Sequence, residues 1–323
     1  MLPDLTYGIP AYNEEGNILQ CLESIDQQDI DARVETLVCL NGCTDKTADD
    51  VAEGIRRYPG LNIRVMHSGK GKVLAQNQIA HSVNNREVPL AFVDADTILD
   101  GKCMEILYDD IGAIDNLIVA GAWPVPLKPD NMSFWERFLY RTLHARALNP
   151  EAEVTVHDTS AYKSFADSRP QPTIKPEVEK RLKIYFHGRA FMIRNPDFFE
   201  LPEEENVADD TFLPNHLHTK YGPGIIRIRY DAKAYYKPYL SLCQHFNTYW
   251  RIWSDLADID KAGKFKESRR MEETRLDWDF IRSQGLGTTL DFMTYRAISA
   301  AEEAVYRARP RRSLADIWHY HKK

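Results

Sequence analysis

The chain has little cysteine and no cysteine framework. Its five cysteines, Cys21, Cys39, Cys43, Cys103 and Cys243, are odd in number, and none forms a Cys-x-x-Cys pair. Cys39 and Cys43 lie close in sequence, but no second pair completes a zinc site. Reduced thiols in a cytosolic protein are the expectation. Long apolar runs are also missing: none approaches the roughly 20 residues of a bilayer-spanning helix, and no charged-then-apolar leader precedes Leu5. A soluble, cytoplasmic protein, at most peripheral to a membrane, is expected. Positive charge is not in excess. The net charge of −7 gives no support for nucleic-acid binding. No Gly-x-Gly-x-x-Gly follows the first strand and no Gly-x-x-x-x-Gly-Lys-[Ser/Thr] loop occurs, which argues against dinucleotide and Walker-type sites.

What remains is ordinary globular composition over 323 residues, 43% hydrophobic and 28% charged. That length suits one large α/β domain with additions, or two small ones. Residues 1–122 read as repeated strand–loop–helix units. Leu5 to Ile9 is a short apolar strand ended by Pro10. Glu14 to Gln27 carries Ile18, Leu22 and Ile25 at helical spacing. Val34 to Leu40 is a second strand, followed by an Asn41-Gly42 turn and a helix that Thr44 can cap. Leu61 to Met66 and Leu90 to Val93 are the third and fourth strands, separated by the glycine-rich Ser68 to Lys72 and a helix. This alternation predicts an α/β fold with a mostly parallel sheet flanked by helices. In such sheets ligands bind beyond the carboxyl ends of the strands, where every distinctive loop lies.

The pattern breaks over 123–183, an insertion with proline clusters. Within it Ser133 to Leu148 reads as an amphipathic helix, and Glu151 to Lys183 as a long loop. Strand character returns from Lys183 to Ile193. Residues 239–323 are expected to be a helical C-terminal extension ending in a basic tail. The expected division falls at 1–122, 123–238 and 239–323.

The strand-end loops suggest one chemistry. Pro10 to Glu15 offers the Tyr12 ring and carbonyls, which suit a nucleobase, and the Asn41 amide can bond a base edge. Lys70 and Lys72, between glycines, can approach phosphates. Asp94 and Asp96 close an apolar strand and can hold a ribose hydroxyl and a metal-bound diphosphate. A hard cation, Mn2+ or Mg2+, suits such oxygen ligands.

Four segments now show a resemblance: Gly8-Ile9-Pro10-Ala11-Tyr12-Asn13-Glu14-Glu15, Asn41-Gly42-Cys43-Thr44-Asp45-Lys46-Thr47, Gly69-Lys70-Gly71-Lys72 and Val93-Asp94-Ala95-Asp96. Together with Phe186-His187-Gly188-Arg189-Ala190-Phe191 and Ala208-Asp209-Asp210-Thr211-Phe212-Leu213, the chain resembles a family 2 glycosyltransferase of the GT-A fold. The resemblance covers 3–122 and 184–230. It implies that Pro10, Tyr12 and Glu14 line the nucleoside pocket, that Asn41 stands where many members place an Asp against the base, and that Lys70 or Lys72 supports the nucleotide. It further implies that Asp94 faces the ribose, that Asp96 binds the metal, and that Asp210 is the base of an inverting transfer. Asp209 takes the first position of the family's acidic pair, and Gly188 and Arg189 fall on the acceptor side. Asp94, His216 or His218 are further candidates for the metal sphere, although two residues apart on a helix do not share a face.

The implied activity is single transfer from a nucleoside-diphosphate sugar, UDP-linked in preference to GDP-linked, to a carbohydrate, lipid-linked or small-molecule hydroxyl. Gln244 with Trp250-Arg251 has the wrong order and spacing for the processive synthases' signature. The alternatives are a non-catalytic nucleotide-sugar or carbohydrate binding protein, which would not need Asp210, and a sugar-phosphate nucleotidylyltransferase, which expects an early glycine-rich basic loop. The Phe134 to Leu148 segment and the basic tail could touch anionic lipid.

Overall fold

The computed structural model describes residues 2–157, 185–202, 209–222, 224–262 and 272–308. The expected loop over 158–183, Ala208, and the basic tail with Trp318 and Tyr320 lie outside the described residues. Two compact units form: one from residues 1–125 and 159–236, the other from 126–158 and 237–323.

The first unit is built on an eight-stranded sheet, flanked by helices. Its described elements are β1 (Leu5–Ala11), α1 (Asn17–Asp26), β2 (Val34–Asn41), α2 (Thr47–Arg57), β3 (Ile63–Ser68), α3 (Lys72–Ser82), β4 (Leu90–Val93), β5 (Ile98–Leu99), α4 (Cys103–Ala113) and β6 (Val119–Pro126). After β6, which ends at the unit boundary, come β8 (Ala190–Ile193), α7 (Asp209–Tyr221) and β9 (Ile226–Tyr236). The spatial order is β3-β2-β1-β4-β8-β6-β9-β5. The pairings β2–β3, β1–β2 and β1–β4 are parallel, whereas β4–β8, β6–β8 and β5–β9 are antiparallel. Parallel strands buried on both faces read as unbroken apolar runs, and β1 is buried at every position. Gly8 within it is required by close approach: a Cβ there would lie 2.6 Å from Ile79 of α3. On α1, Ile18, Leu22 and Ile25 form the buried face. Each such side chain stabilises the fold by about 1.5–3 kcal/mol.

Two local expectations are corrected. β1 does not stop at Ile9 but runs through Pro10 to Ala11. Thr6 N–H bonds toward β4, and β4 pairing ends at Gly8, so the proline's missing N–H on that side costs no ladder bond. Thr44 does not cap α2; the helix begins at Thr47, whose N–H donates to Asp45 Oδ1 at 3.1 Å.

The second unit is mainly helical: α5 (Phe134–Leu143), α6 (Ala145–Leu148), α8 (Leu242–Ala262), α9 (Trp278–Ser283) and α10 (Leu286–Ala308). The single helix expected over Ser133 to Leu148 is two, broken at His144, whose Nε2 is 3.1 Å from the Tyr239 carbonyl. Part of the expected loop is strand: β7 (Glu153–His157) pairs antiparallel with β10 (Glu272–Leu276). Ala145, Ala152, Ile281, Phe292 and Tyr295 are the core. Trp250 is buried and packs edge-on against Phe246 and Tyr306, with centroids 5.1 Å and 5.0 Å away.

Candidate active site

The loops beyond β1 and β2 are laced together. Asn13, with φ 53°, accepts from Thr44 N–H at 2.8 Å. Glu14 N–H donates to Thr47 Oγ1 at 2.7 Å, and Gly16 N–H to Asp50 Oδ2 at 2.6 Å. Beside this lacing, Lys70 Nζ sits over the Tyr12 ring, 4.9 Å from the centroid, a cation–π distance. Pro10 is buried within the sheet, so only the chain after it reaches the loop. Asn41, at the tip of β2, is 3% exposed, and its Oδ1 finds no donor among the described residues. A buried amide oxygen of this kind is costly unless a ligand or water satisfies it.

Lys72 is the centre of the arrangement. It opens α3, where a cation is opposed by the helix dipole. Two carboxylates compensate: Nζ is 2.8 Å from Asp94 Oδ1 and 3.1 Å from Asp209 Oδ2. Burial works against the charged lysine, but Asp209 and Asp94 outweigh it and hold its pKa up. The Asp94 carboxyl is pushed up to about 6 by burial; Lys72 pulls it down, while Asp209 and Asp96 repel its charge. Asp209 is 5% exposed and also accepts from Gln76 Nε2 at 2.7 Å. Gln76 is one turn along α3 from Lys72, on the same face. Gly188 lies against that carboxylate: a Cβ there would be 3.0 Å from Asp209 Oδ1.

Asp96 differs from its neighbour. Its side chain is 41% exposed, and Arg189 Nη1 is 3.5 Å away. Arg189 also stacks over Tyr236 at 4.2 Å, and its carbonyl accepts from Asp94 N–H at 2.8 Å. Among the described residues no three His, Cys, Asp or Glu side chains come together as a cation cage. One or two carboxylates at a strand tip suit a hard cation that completes its sphere with phosphate oxygens and water, as Mg2+ sites commonly do. The donor set therefore fits a cation that arrives with a diphosphate. His216 stacks on Phe212, with ring centroids 5.8 Å apart, and burial lowers its pKa. His218 is buried in α7. Neither belongs to a cation-binding cluster among the described residues.

Of the residues singled out in the sequence, the fold thus brings together Lys72, Asp94, Asp209 and Gly188, and separately Tyr12 with Lys70 and Asp96 with Arg189. Asp210, beside Asp209 in the first turn of α7, is half-buried. Gln76 was not foreseen. Its only sequence signal is a polar residue at i+4 from Lys72.

An edge of parallel strands carries an Asp-x-Asp tip and a buried acidic partner, and a family profile matches the chain. The chain belongs to glycosyl transferase family 2, whose profile matches residues 6–169, just over half of the sequence. Curated proteins gave no match. Among solved structures, the chain is similar to the mannosyltransferase PcManGT from Pyrobaculum calidifontis, in complex with GDP-Man and Mn2+. The TM-score is 0.53 and the identity 16%, covering 99% of this chain and 79% of that one. It is also similar to S. aureus TarS, at TM-score 0.46 and 15% identity over 77% of this chain. The chain spans 38% of the length of TarS and 64% of its 1-349 form. The likeness to PcManGT is one of fold, a mixed α/β architecture with C-terminal helices.

Proposed function

We propose that this protein transfers a single sugar from a nucleoside-diphosphate donor to an acceptor hydroxyl, with inversion at the anomeric carbon. The observation that carries the reading is the Lys72 bridge, which joins Asp94 at a strand tip to Asp209 at the start of α7. It makes one site of the donor-side and acceptor-side acids. Tyr12 and the unsatisfied Asn41 oxygen suit a base, Lys70 and Lys72 suit phosphate, and Asp94 suits a ribose hydroxyl.

Asp96, with Asp94 beside it, would hold a divalent cation; the similar PcManGT is in complex with GDP-Man and Mn2+. When bound, Mn2+ or Mg2+ supplies charge neutralisation of the departing diphosphate. The chain's own residues do the rest. An acceptor hydroxyl must lose its proton as it attacks, which calls for a positioned carboxylate. Asp210, half-buried beside Asp209 at the start of α7, stands at the position that the resemblance gives to the base and takes that role, while Asp209 is held by Lys72 and Gln76. One base opposite the leaving group gives in-line displacement without a covalent sugar–enzyme intermediate, unlike the paired carboxylates of retaining glycosidases. Trp250 as a packed core residue supports the reading that the Gln244 to Arg251 stretch is not a polymer-guiding element.

The test is acceptor-dependent release of nucleoside diphosphate from a panel of UDP- and GDP-sugars with Mn2+. Clear release above donor hydrolysis is expected. A protein that binds donors yet releases nothing with any acceptor class is a binding protein instead.

A further inference from the structure

The second unit turns an unusual face to solvent. On α5, Phe134 and Trp135 are 71% and 68% exposed, with Phe138 beside them. The three rings form one cluster, with successive centroids 5.5 Å and 6.1 Å apart. On α10, Leu286, Leu290 and Met293 are each more than half exposed, at i, i+4 and i+7, which is one side of a helix. Further along α10, the exposed positions from Ala297 to Val305 are alanine and valine, and the exposed charged residues of the whole helix are Arg296 and Arg307. The two helices pack together. Arg141 of α5 pairs with Asp291 of α10 at 2.7 Å, which ties the two helices together. A surface helix ordinarily turns polar and acidic residues outward as well.

We infer that this face docks on an anionic lipid surface, with the rings and aliphatic side chains at the headgroup–acyl boundary and the arginines on lipid phosphates. The charge pattern points to that occupant. Three acids on the two helices are already engaged: Glu136 caps α5 through Ser133 N–H at 2.8 Å, Asp291 holds Arg141, and Glu303 holds Arg307; Asp130, before α5, is the exposed acid nearest the rings in sequence. Arg137 and Arg296 are exposed and form no ion pair among the described residues. Beyond Ala308 the sequence adds five Arg or Lys against one Asp in 309–323, in a chain whose net charge is −7. Clustered bases next to apolar anchors are what an anionic leaflet attracts. An isologous dimer would set this face against itself, arginine facing arginine. No described helix is long and apolar enough to cross a membrane, so the contact is interfacial.

The full chain is to be sedimented with vesicles of phosphatidylcholine plus phosphatidylglycerol, and with phosphatidylcholine alone. Strong co-sedimentation is expected only with the anionic vesicles. Trp135→Ser with Phe138→Ser should weaken partitioning at least about tenfold while the far-ultraviolet circular dichroism stays unchanged. Arg137→Glu with Arg296→Glu should erase most of the anionic preference. Trp135→Phe should bind like the wild type. Absence of binding to anionic vesicles, or equal binding by the Ser double variant, overturns the inference. So does a dimer in sedimentation velocity that these same substitutions dissociate, which would give the face to a second copy. No sugar donor enters the measurement, so its failure leaves the transferase reading untouched.

Discussion

Lys72 Nζ lies 3.1 Å from Asp209 Oδ2, although 137 positions separate them in sequence. The contact draws the N-terminus of α3 to the N-terminus of α7, two helix ends that would each prefer an anion. One cation thus serves Asp209 and Asp94 together. Removing it as Lys72→Met leaves two carboxylates facing each other with no counter-charge. Breaking a fully buried pair costs about 3–5 kcal/mol. Asp94 keeps a quarter of its side chain exposed, so about 2 kcal/mol is expected after solvent screening. Chemical denaturation of Lys72→Met, Asp209→Asn and the double variant measures it. The double variant should recover part of the loss; strict additivity would mean that the two residues do not interact.

Gly188 makes that geometry possible. A methyl group there would stand 3.0–3.1 Å from both Asp209 oxygens, tighter than a carboxylate accepts without moving. Gly188→Ala should therefore displace Asp209 from Gln76 and Lys72, at about 1–3 kcal/mol for overpacking. Turnover should fall with little change in donor affinity. A variant with wild-type stability and turnover would show that the carboxylate can shift freely and that its position is unimportant.

The strand-tip loops were legible in the sequence because their signals are local: an apolar run, then Asn41-Gly42, Gly69 to Lys72 or Asp94 to Asp96. The choice between Asp209 and Asp210 as Lys72's partner was not, since it depends on β8 pairing antiparallel beside β4, which brings Gly188 and Arg189 to the tip. Gln76 was hidden for the same reason. A glutamine in a helix reads as solvent-facing until the tertiary fold supplies Asp209. The β7–β10 pair was missed because both strands are short and polar and find each other only through long-range pairing. Pro10 was misread as a stop because its tolerance rests on where β4 ends.

Asp96 is the carboxylate best able to receive a cation. Asp94 is ion-paired with Lys72 at 2.8 Å, whereas Asp96 is more exposed and meets Arg189 only at 3.5 Å. Asp96→Ala should remove the Mn2+-dependent part of UDP binding, by at least about tenfold, since even supporting residues around a metal cost that much. Metal-free UDP binding, resting on Tyr12, Asn41 and the lysines, should persist. Titration calorimetry with and without Mn2+ reads both quantities. An unchanged Mn2+ enhancement in the variant sinks the metal role.

Asp209 and Asp210 are adjacent in the first turn of α7, yet their substitutions should behave differently. Asp210→Asn removes a proton acceptor and one of the charges that favour protonated Lys72, so transfer should drop by about 10²–10⁴-fold while donor affinity holds. Asp209→Asn removes the negative partner of Lys72 and weakens the Gln76 bond, so stability should fall together with turnover. Gln76→Leu should reproduce the turnover loss of Asp209→Asn in milder form, because it frees the same carboxylate without changing its charge. The comparison discriminates between a base and the residue that supports it. Should Asp210→Asn turn over normally while a folded Asp209→Asn is inert, the buried acid is the base, and the bridge to Lys72 must open during each cycle.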